Sequence, residues 1–409
     1  MKNFGNLRIL TFVLAGGKGE RLYPLTKFRA KPAVPFAGKY RIIDFALSNL
    51  TNSGFFSIYI LTQYKAQSLT EHIERGWNLG TALRSRDFFI TIAPAQMWVK
   101  EEWYKGTADA VYQNLHLVSN YDPDIVLVFA GDHVYKMDIS QMLYFHLEKD
   151  ADLTVAGFPI EEEKISHYGI ICYDENLRIC GFWEKPKSLP LESKGKKIFA
   201  SMGNYIFKRE FLEEVLISDA KDEKSTHDFG RDIIPKFYKD SRVFLYDFSQ
   251  NKIKGELESY WRDVGRISEY FEAHMDLLKK PPFLNLWNPH WPIRTASFND
   301  PPFYIEKGAR VENSLIAEGV RISKRAKIVN SVIGRNCIIE EGAEIINSIL
   351  QYGVIIKKRA KVEKCIIDKL SIIEENDEPR VNMKKEYYLS DDILIISSPP
   401  PKLRINTLS

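Results

Sequence analysis

Apolar positions fall along this chain in two textures that change near residue 300. In the first part, apolar runs rich in β-branched residues predict strands over 9–15, 57–62, 88–93, 125–130 and 153–158. Helical spacing fills the gaps at 44–52, 68–75, 107–120 and 140–149. Strands alternating with helices predict an α/β fold, a Rossmann-like, doubly wound and mostly parallel sheet. Ligands of such sheets bind beyond the carboxyl ends of the strands. Residues 168–173 and 177–183, joined by Asp174-Glu175-Asn176, read as a hairpin. Helices are predicted over 210–216 and 267–278, and Ser225-Thr226-His227-Asp228 offers several caps for a helix start.

From Tyr304 a repeat replaces the alternation. Asn313-Ser314-Leu315-Ile316 returns as Asn330-Ser331-Val332-Ile333, Asn347-Ser348-Ile349-Leu350 and Lys364-Cys365-Ile366-Ile367, in steps of 17 residues. Within each unit apolar residues recur at six, as in Ile316, Ile322 and Ile328. Three apolar anchors per unit describe a three-faced coil close to the hexapeptide β-helix. The predicted domains are therefore 1–280, a Pro/Trp-rich linker at 281–303, the coil at 304–376, and a C-terminal segment at 377–409 with a short strand at 393–396 and a loose tail. Hexapeptide acyltransferases use a histidine in the coil, and no histidine follows His290, which excludes that chemistry.

The candidate chemistry sits at the predicted strand ends. The first strand opens into Gly16-Gly17-Lys18-Gly19-Glu20-Arg21, where bare backbone N–H groups and two cations suit an anion. It is neither a Walker loop nor a dinucleotide fingerprint, and an ordinary tight turn fits the glycines equally well. Gln63-Tyr64 and Pro94-Ala95-Gln96 end later strands. In Tyr104-Lys105-Gly106-Thr107-Ala108-Asp109, Thr107 suits a helix cap and Asp109 the first turn. Gly131-Asp132-His133 closes the most apolar strand with a carboxylate, a good place for a Mg²⁺ ligand or for a loop cap. His133 reads as a local hydrogen-bonding residue. Asp263, read alone, is better explained as an acid at a helix start.

Composition narrows the classes. The chain has 409 residues, net charge +3 and 27% charged residues, with no long cationic block to suggest nucleic acid. No apolar run reaches the roughly 18 residues of a membrane span, and no signal-like N-terminus is evident. Four cysteines without Cys-x-x-Cys spacing read as reduced structural thiols of a cytoplasmic protein.

The run Gly16 to Leu22, with Pro24-Leu25-Thr26 and Lys31-Pro32 downstream, resembles the signature of sugar-1-phosphate nucleotidylyltransferases. Arg29-Ala30-Lys31-Pro32-Ala33-Val34 and Arg41-Ile42-Ile43-Asp44-Phe45 are similar to the bacterial glucose-1-phosphate adenylyltransferase family, and the likeness extends over about residues 7–395. The resemblance implies a C-terminal left-handed parallel β-helix, Mg²⁺ as cofactor, and the reaction ATP + α-D-glucose 1-phosphate → ADP-glucose + diphosphate for glycogen or α-glucan synthesis. It implies ATP contacts at Leu14, Ala15, Gly16, Gly17, Lys18, Gly19, Arg21, Gln63, Gln96, Gly106 and Thr107. Glucose 1-phosphate falls to Tyr104, Gly169, Glu184, Lys185 and Ser201, and the metal to Asp132 and Asp263. Arg21, Asp132, Lys185 and Asp263 become the catalytic set. The match at Trp261-Arg262-Asp263-Val264-Gly265 is what turns Asp263 from helix start to ligand. A homotetramer and an allosteric anion site with Arg29, Arg41 and Lys364 are also implied. Phe28 and Pro35 depart from the lysine and histidine of enteric-type enzymes, which leaves the effector open. The alternatives are transfer from UTP, dTTP or GTP, and a non-catalytic regulatory subunit.

Overall fold

The computed structural model describes residues 7–78, 87–96, 102–193 and 195–397. Its centre is a mixed sheet with the order Ile179–Glu184, Gly169–Tyr173, Phe199–Lys208, Ile125–Ala130, Ile9–Leu14, Ser57–Thr62, Phe89–Pro94. The last four strands are mutually parallel. Alternate residues face two separate cores. Val13, Ile58, Leu127 and Phe129 pack under the helices Ile43–Ser53 and Ile139–Glu148, while Phe12, Val126 and Val128 pack under Thr107–Tyr112 and Arg209–Asp219. Burial on both faces explains why these strands read as unbroken apolar runs.

Three details differ from the sequence reading. Phe199–Lys208 lies in the middle of the sheet and runs antiparallel to Ile125–Ala130 and to Leu153–Pro159, so the latter joins the sheet through it. The helix expected over 107–120 is two, Thr107–Tyr112 and Leu115–Tyr121. Asn114 breaks it: its side-chain amide donates to Ala110 O at 2.8 Å, diverting the backbone from helical continuation. At the start near 225–232, Asp228 is the cap, accepting from Gly230 N and Arg231 N before a π-type turn at Phe229–Ile233.

The coil forms as its period requires. Arg321, Ile338, Ile355 and Ile372 stack in parallel register, each 17 residues from the last. The Asn-Ser repeat marks one corner. Asn313, Asn330 and Asn347 take φ of 41°, 47° and 46°, a conformation Asn tolerates better than most residues. The serine that follows accepts from the next coil, as Ser331 N and Ser348 N donate to Ser314 Oγ and Ser331 Oγ at 3.1 and 3.0 Å. Ile393–Ile396 adds a parallel strand beside Cys365–Ile367, so the C-terminal apolar run belongs to the coil. The expected tail, 398–409, lies outside the described residues.

One coil face packs on the first domain. Ile349, Ile366 and Ile395 share a core with Phe36, Ile42, Tyr270 and Phe271. At its edge the Arg29 guanidinium donates both to Asp368 (2.7 and 2.8 Å) and to Gln351 (3.1 Å), with both charged side chains 2% exposed. Breaking a buried pair leaves an uncompensated charge, while replacing both partners does not. Arg29→Met should therefore cost about 3–5 kcal/mol in urea unfolding, and adding Asp368→Leu should recover most of it. A double variant no more stable than the single would show that the stranded Asp368 charge is not what destabilises Arg29→Met.

Candidate active site

The strand register builds the site. Leu14 pairs with Leu61 and with Ala130, so the carboxyl ends of three neighbouring parallel strands lie level. Ala15 N donates to Leu61 O and Gly131 N to Leu14 O, which fixes both outgoing loops at the same height. A cleft of about 810 Å³ opens there, walled by the Gly16–Arg21 loop, Tyr104 to Thr107, Asp132, Gly169, Glu184, Lys185, Ser201 and Asp263.

Within the loop Gly19 has φ +63°, and an added Cβ would lie 2.9 Å from Lys31 Cβ and 3.0 Å from Thr26 Cγ2. Glycine is therefore required both for the conformation and for the approach of the Lys31 segment. Thr26 Oγ1 donates to Gly19 O at 2.9 Å, which ties the Pro-Leu-Thr motif to the loop.

Asp263 reaches Asp132 through a short antiparallel pair, with Trp261 opposite Tyr135 and Arg262 opposite Val134. Val264, the next residue, is buried and β-branched yet has φ +47°. Such backbone costs on the order of 1–3 kcal/mol and persists only where surroundings impose it. Lys31 fills the space between the carboxylates. Its Nζ lies 2.9 Å from Asp132 Oδ2, 2.9 Å from Asp263 Oδ1 and 2.8 Å from Asp263 O. His133 Nε2 is 3.3 Å from Asp263 and 3.5 Å from Asp132, and Trp261 Nε1 donates to its Nδ1 at 3.4 Å. Arg21 approaches Asp263 from the open side at 3.7 Å.

These charges set each other. Burial alone would lower the Lys31 pKa, and Asp132 and Asp263 more than reverse it, so its ammonium is held above the ordinary value. Burial pushes the Asp263 carboxyl up, but Lys31 and His133 outweigh it and hold it well below the usual range. Asp132, His133 and Asp263 each present an atom within 4.8 Å of the others. Two carboxylates lining an open cleft suit a hard divalent ion that keeps several waters, so the residues present fit such a metal.

On the opposite wall Lys185 pairs with Glu184, and its own φ of +48° turns the chain out of the strand. Lys185 N donates to Tyr168 O at 3.0 Å. Gln63 holds the Tyr104 peptide, accepting from Tyr104 N at 2.8 Å and donating to Tyr104 O at 3.4 Å. Tyr104 OH accepts from Asn114 at 2.9 Å, and burial raises its pKa.

The residues assigned from sequence to nucleotide, sugar phosphate and metal converge on this cleft, apart from Ala15 and Gln96. Ala15 is buried beneath the loop and does not line it. Gln96 is exposed and outside the lining, two residues beyond the edge strand Phe89–Pro94. Lys364 is a coil corner at φ +47°, paired with Asp392 at 2.7 Å, and is not with Arg29 and Arg41. The cavity those arginines line, about 370 Å³ between domain and coil, receives Arg335 and Lys369 instead. Thr107 is not a cap either. Its hydroxyl donates to Asp228 at 2.9 Å and accepts from Phe229 N at 3.0 Å, leaving Gly106 at the cap. Lys31 and His133 were outside the predicted set. Lys31 stands in the Lys31-Pro32 motif downstream of the glycines, and His133 adjoins a predicted ligand.

A nucleotidyl transferase model matches residues 10–280, and a GlmU-like C-terminal hexapeptide model matches 302–388. The chain belongs to the nucleotidyl transferase family. Among relatives of this transferase, the glucose-1-phosphate adenylyltransferase of Thermus thermophilus is 52% identical over 78% of this chain and 79% of its own. That of Thermodesulfovibrio yellowstonii is 48% identical over 81% of each, and glucose-1-phosphate adenylyltransferase 1 of Vibrio cholerae 49% over 80% and 81%. Such transferases generally use a divalent metal. Among the transferase's described residues no helix is long and apolar enough to cross a membrane.

Because the Asp263 pKa is depressed on folding, the stability it contributes is complete above the ordinary carboxylate value and is lost only as pH falls through the depressed one. In a Lys31→Met variant of the transferase, the Asp263 carboxyl should titrate at a higher pH by carbon-detected NMR, because the largest favourable charge beside it is gone. An unmoved titration would break the proposed coupling.

Proposed function

We propose that the chain transfers the adenylyl group of ATP to α-D-glucose 1-phosphate, giving ADP-glucose and diphosphate for glycogen or α-glucan synthesis. The observation that carries this reading is one cleft with a glycine-rich anion loop on one wall, a lysine-bearing hairpin on the other and a carboxylate pair between them. The names of relatives near 50% identity supply the nucleotide and the sugar.

The incoming phosphate oxygen is already charged, so the reaction needs no base and no covalent intermediate. Its O–P bond to the α-phosphorus forms as the bond to diphosphate breaks. Catalysis then rests on placement and charge neutralisation. The Gly16–Gly19 backbone, Lys18 and Arg21 hold the leaving phosphates, and Lys185 and Tyr104 orient the sugar phosphate. Lys31 fixes the two carboxylates at one spacing. Asp132 and Asp263 would hold Mg²⁺, which supplies neutralising charge at phosphate oxygens when bound. Regulation by a small anion in the cavity with Arg29 and Arg41, a homotetramer and a cytoplasmic location complete the reading.

Diphosphate release with glucose 1-phosphate and Mg²⁺ should be strongest with ATP among ATP, UTP, dTTP and GTP. Preference for another nucleotide would keep the chemistry and discard ADP-glucose; no release from folded protein would favour a non-catalytic subunit. Asp132→Asn should lower kcat by about 10³-fold or more, since a positioned charge is worth several kcal/mol. Near-normal turnover would remove Asp132 from the site.

A further inference from the structure

Two thiols face each other on the hairpin that carries Gly169 and Glu184. Cys172 lies in Gly169–Tyr173 and Cys180 in Ile179–Glu184. The register shifts between Ile179 and Gly181, which pair with Tyr173 and Cys172, so Cys180 is the bulged residue. The bulge turns its side chain toward Cys172, and the two Sγ atoms stand 3.1 Å apart. Cys172 is buried at 1% exposure and Cys180 is exposed. One thiol is thus open to an oxidant in solution, with a second beside it to resolve the product.

We propose that Cys172 and Cys180 form a redox-active pair that closes to a disulfide when the protein meets a peroxide. The Cys180 thiolate attacks one peroxide oxygen, the O–O bond breaks, and the released hydroxide takes a proton to leave as water. The resulting sulfenic acid is then displaced by the Cys172 sulfur, whose proton leaves with the hydroxyl as a second water. Two thiols are oxidised and one peroxide is reduced. The sulfurs need approach by only about 1 Å to reach bonding distance, a shift within the reach of side-chain torsions at a bulge. Partial burial and the neighbouring thiol push Cys180 up to about 11, against a lowering by Lys196, so little of it is thiolate at neutral pH and the reaction with peroxide quickens as pH rises. Cys337 and Cys365 are internal controls. Both lie in the coil interior, donate to the carbonyls of Gln351 and Glu363, and are pushed up to about 12 chiefly by burial.

The covalent state is read directly, so the test does not depend on the enzymatic reading. The full chain is treated with hydrogen peroxide, quenched, alkylated in denaturant and digested with trypsin, which cuts after Arg178 between the two cysteines. The expected result is loss of two of the four thiols and a species joining the peptides on either side of Arg178, separated again by dithiothreitol. Cys180→Ser, an exposed and conservative change, should abolish the linked species and leave Cys337 and Cys365 alkylated. Over-oxidation of Cys180 without linkage, a bridge between chains, or equal loss of all four thiols would each overturn the proposal.

Discussion

Lys31 joins three segments far apart in sequence into one charged unit. Its ammonium is almost fully enclosed and touches carboxylates from the end of a central strand and from the chain beyond Trp261. Without it two carboxylates would face each other with no ammonium between them, and each would disfavour ionisation of the other. With it the group carries one net negative charge from Lys31, Asp132 and Asp263. The loop supports the lysine in turn, since only glycine at position 19 allows the Lys31 Cβ so close. The phosphate loop and the carboxylate site are thus two ends of one packing arrangement.

The same segment also reaches the coil. Two residues before Lys31, Arg29 is clamped by Asp368 and Gln351. Arg29 is joined through the single extended residue Ala30 to Lys31, which opens the 3₁₀ turn Lys31–Ala33, so the coil contact and the carboxylate contact lie on one short stretch of backbone. The cavity lined by Arg41, Arg335 and Lys369 lies at that joint. This covalent adjacency places the edge of the cavity and the carboxylate contacts on one continuous segment.

Much of this was legible in the chain, for different reasons. Strand and helix positions in the first part followed from apolar periodicity, because strands buried on both faces write themselves as continuous runs. Asp132 stood out because a carboxylate at the end of such a run is costly without a partner. Asp263 was not legible physically: its partner is supplied by tertiary pairing with Val134–Tyr135, which no local pattern encodes. The antiparallel Phe199–Lys208 in mid-sheet was hidden likewise, since pairing direction leaves no trace in hydrophobicity. Asn114 defeated a helix prediction by a side-chain bond that composition does not reveal.

The coil shows how a repeat records its surroundings as well as its fold. On two faces each strand couples one inward apolar residue to an outward charged or solvent-facing one, as in Arg321-Ile322 and Lys327-Ile328. On the third face both residues are apolar: Val332-Ile333, Ile349-Leu350 and Ile366-Ile367 are all buried. The inner member fills the coil and the outer one meets the first domain or its cover, as Ile349 and Ile366 do against Tyr270 and Phe271. A period-two strand pattern predicts one apolar residue of each pair, so the doubled ones are excess that the coil alone does not need. Doubling alone does not mark the covered side, since Ile338-Ile339, Ile355-Ile356 and Ile372-Ile373 are doubled on another face with their outer members exposed or half-buried; what sets the third face apart is that both members are buried. That third face also carries Asp368 and Gln351, the residues that hold Arg29.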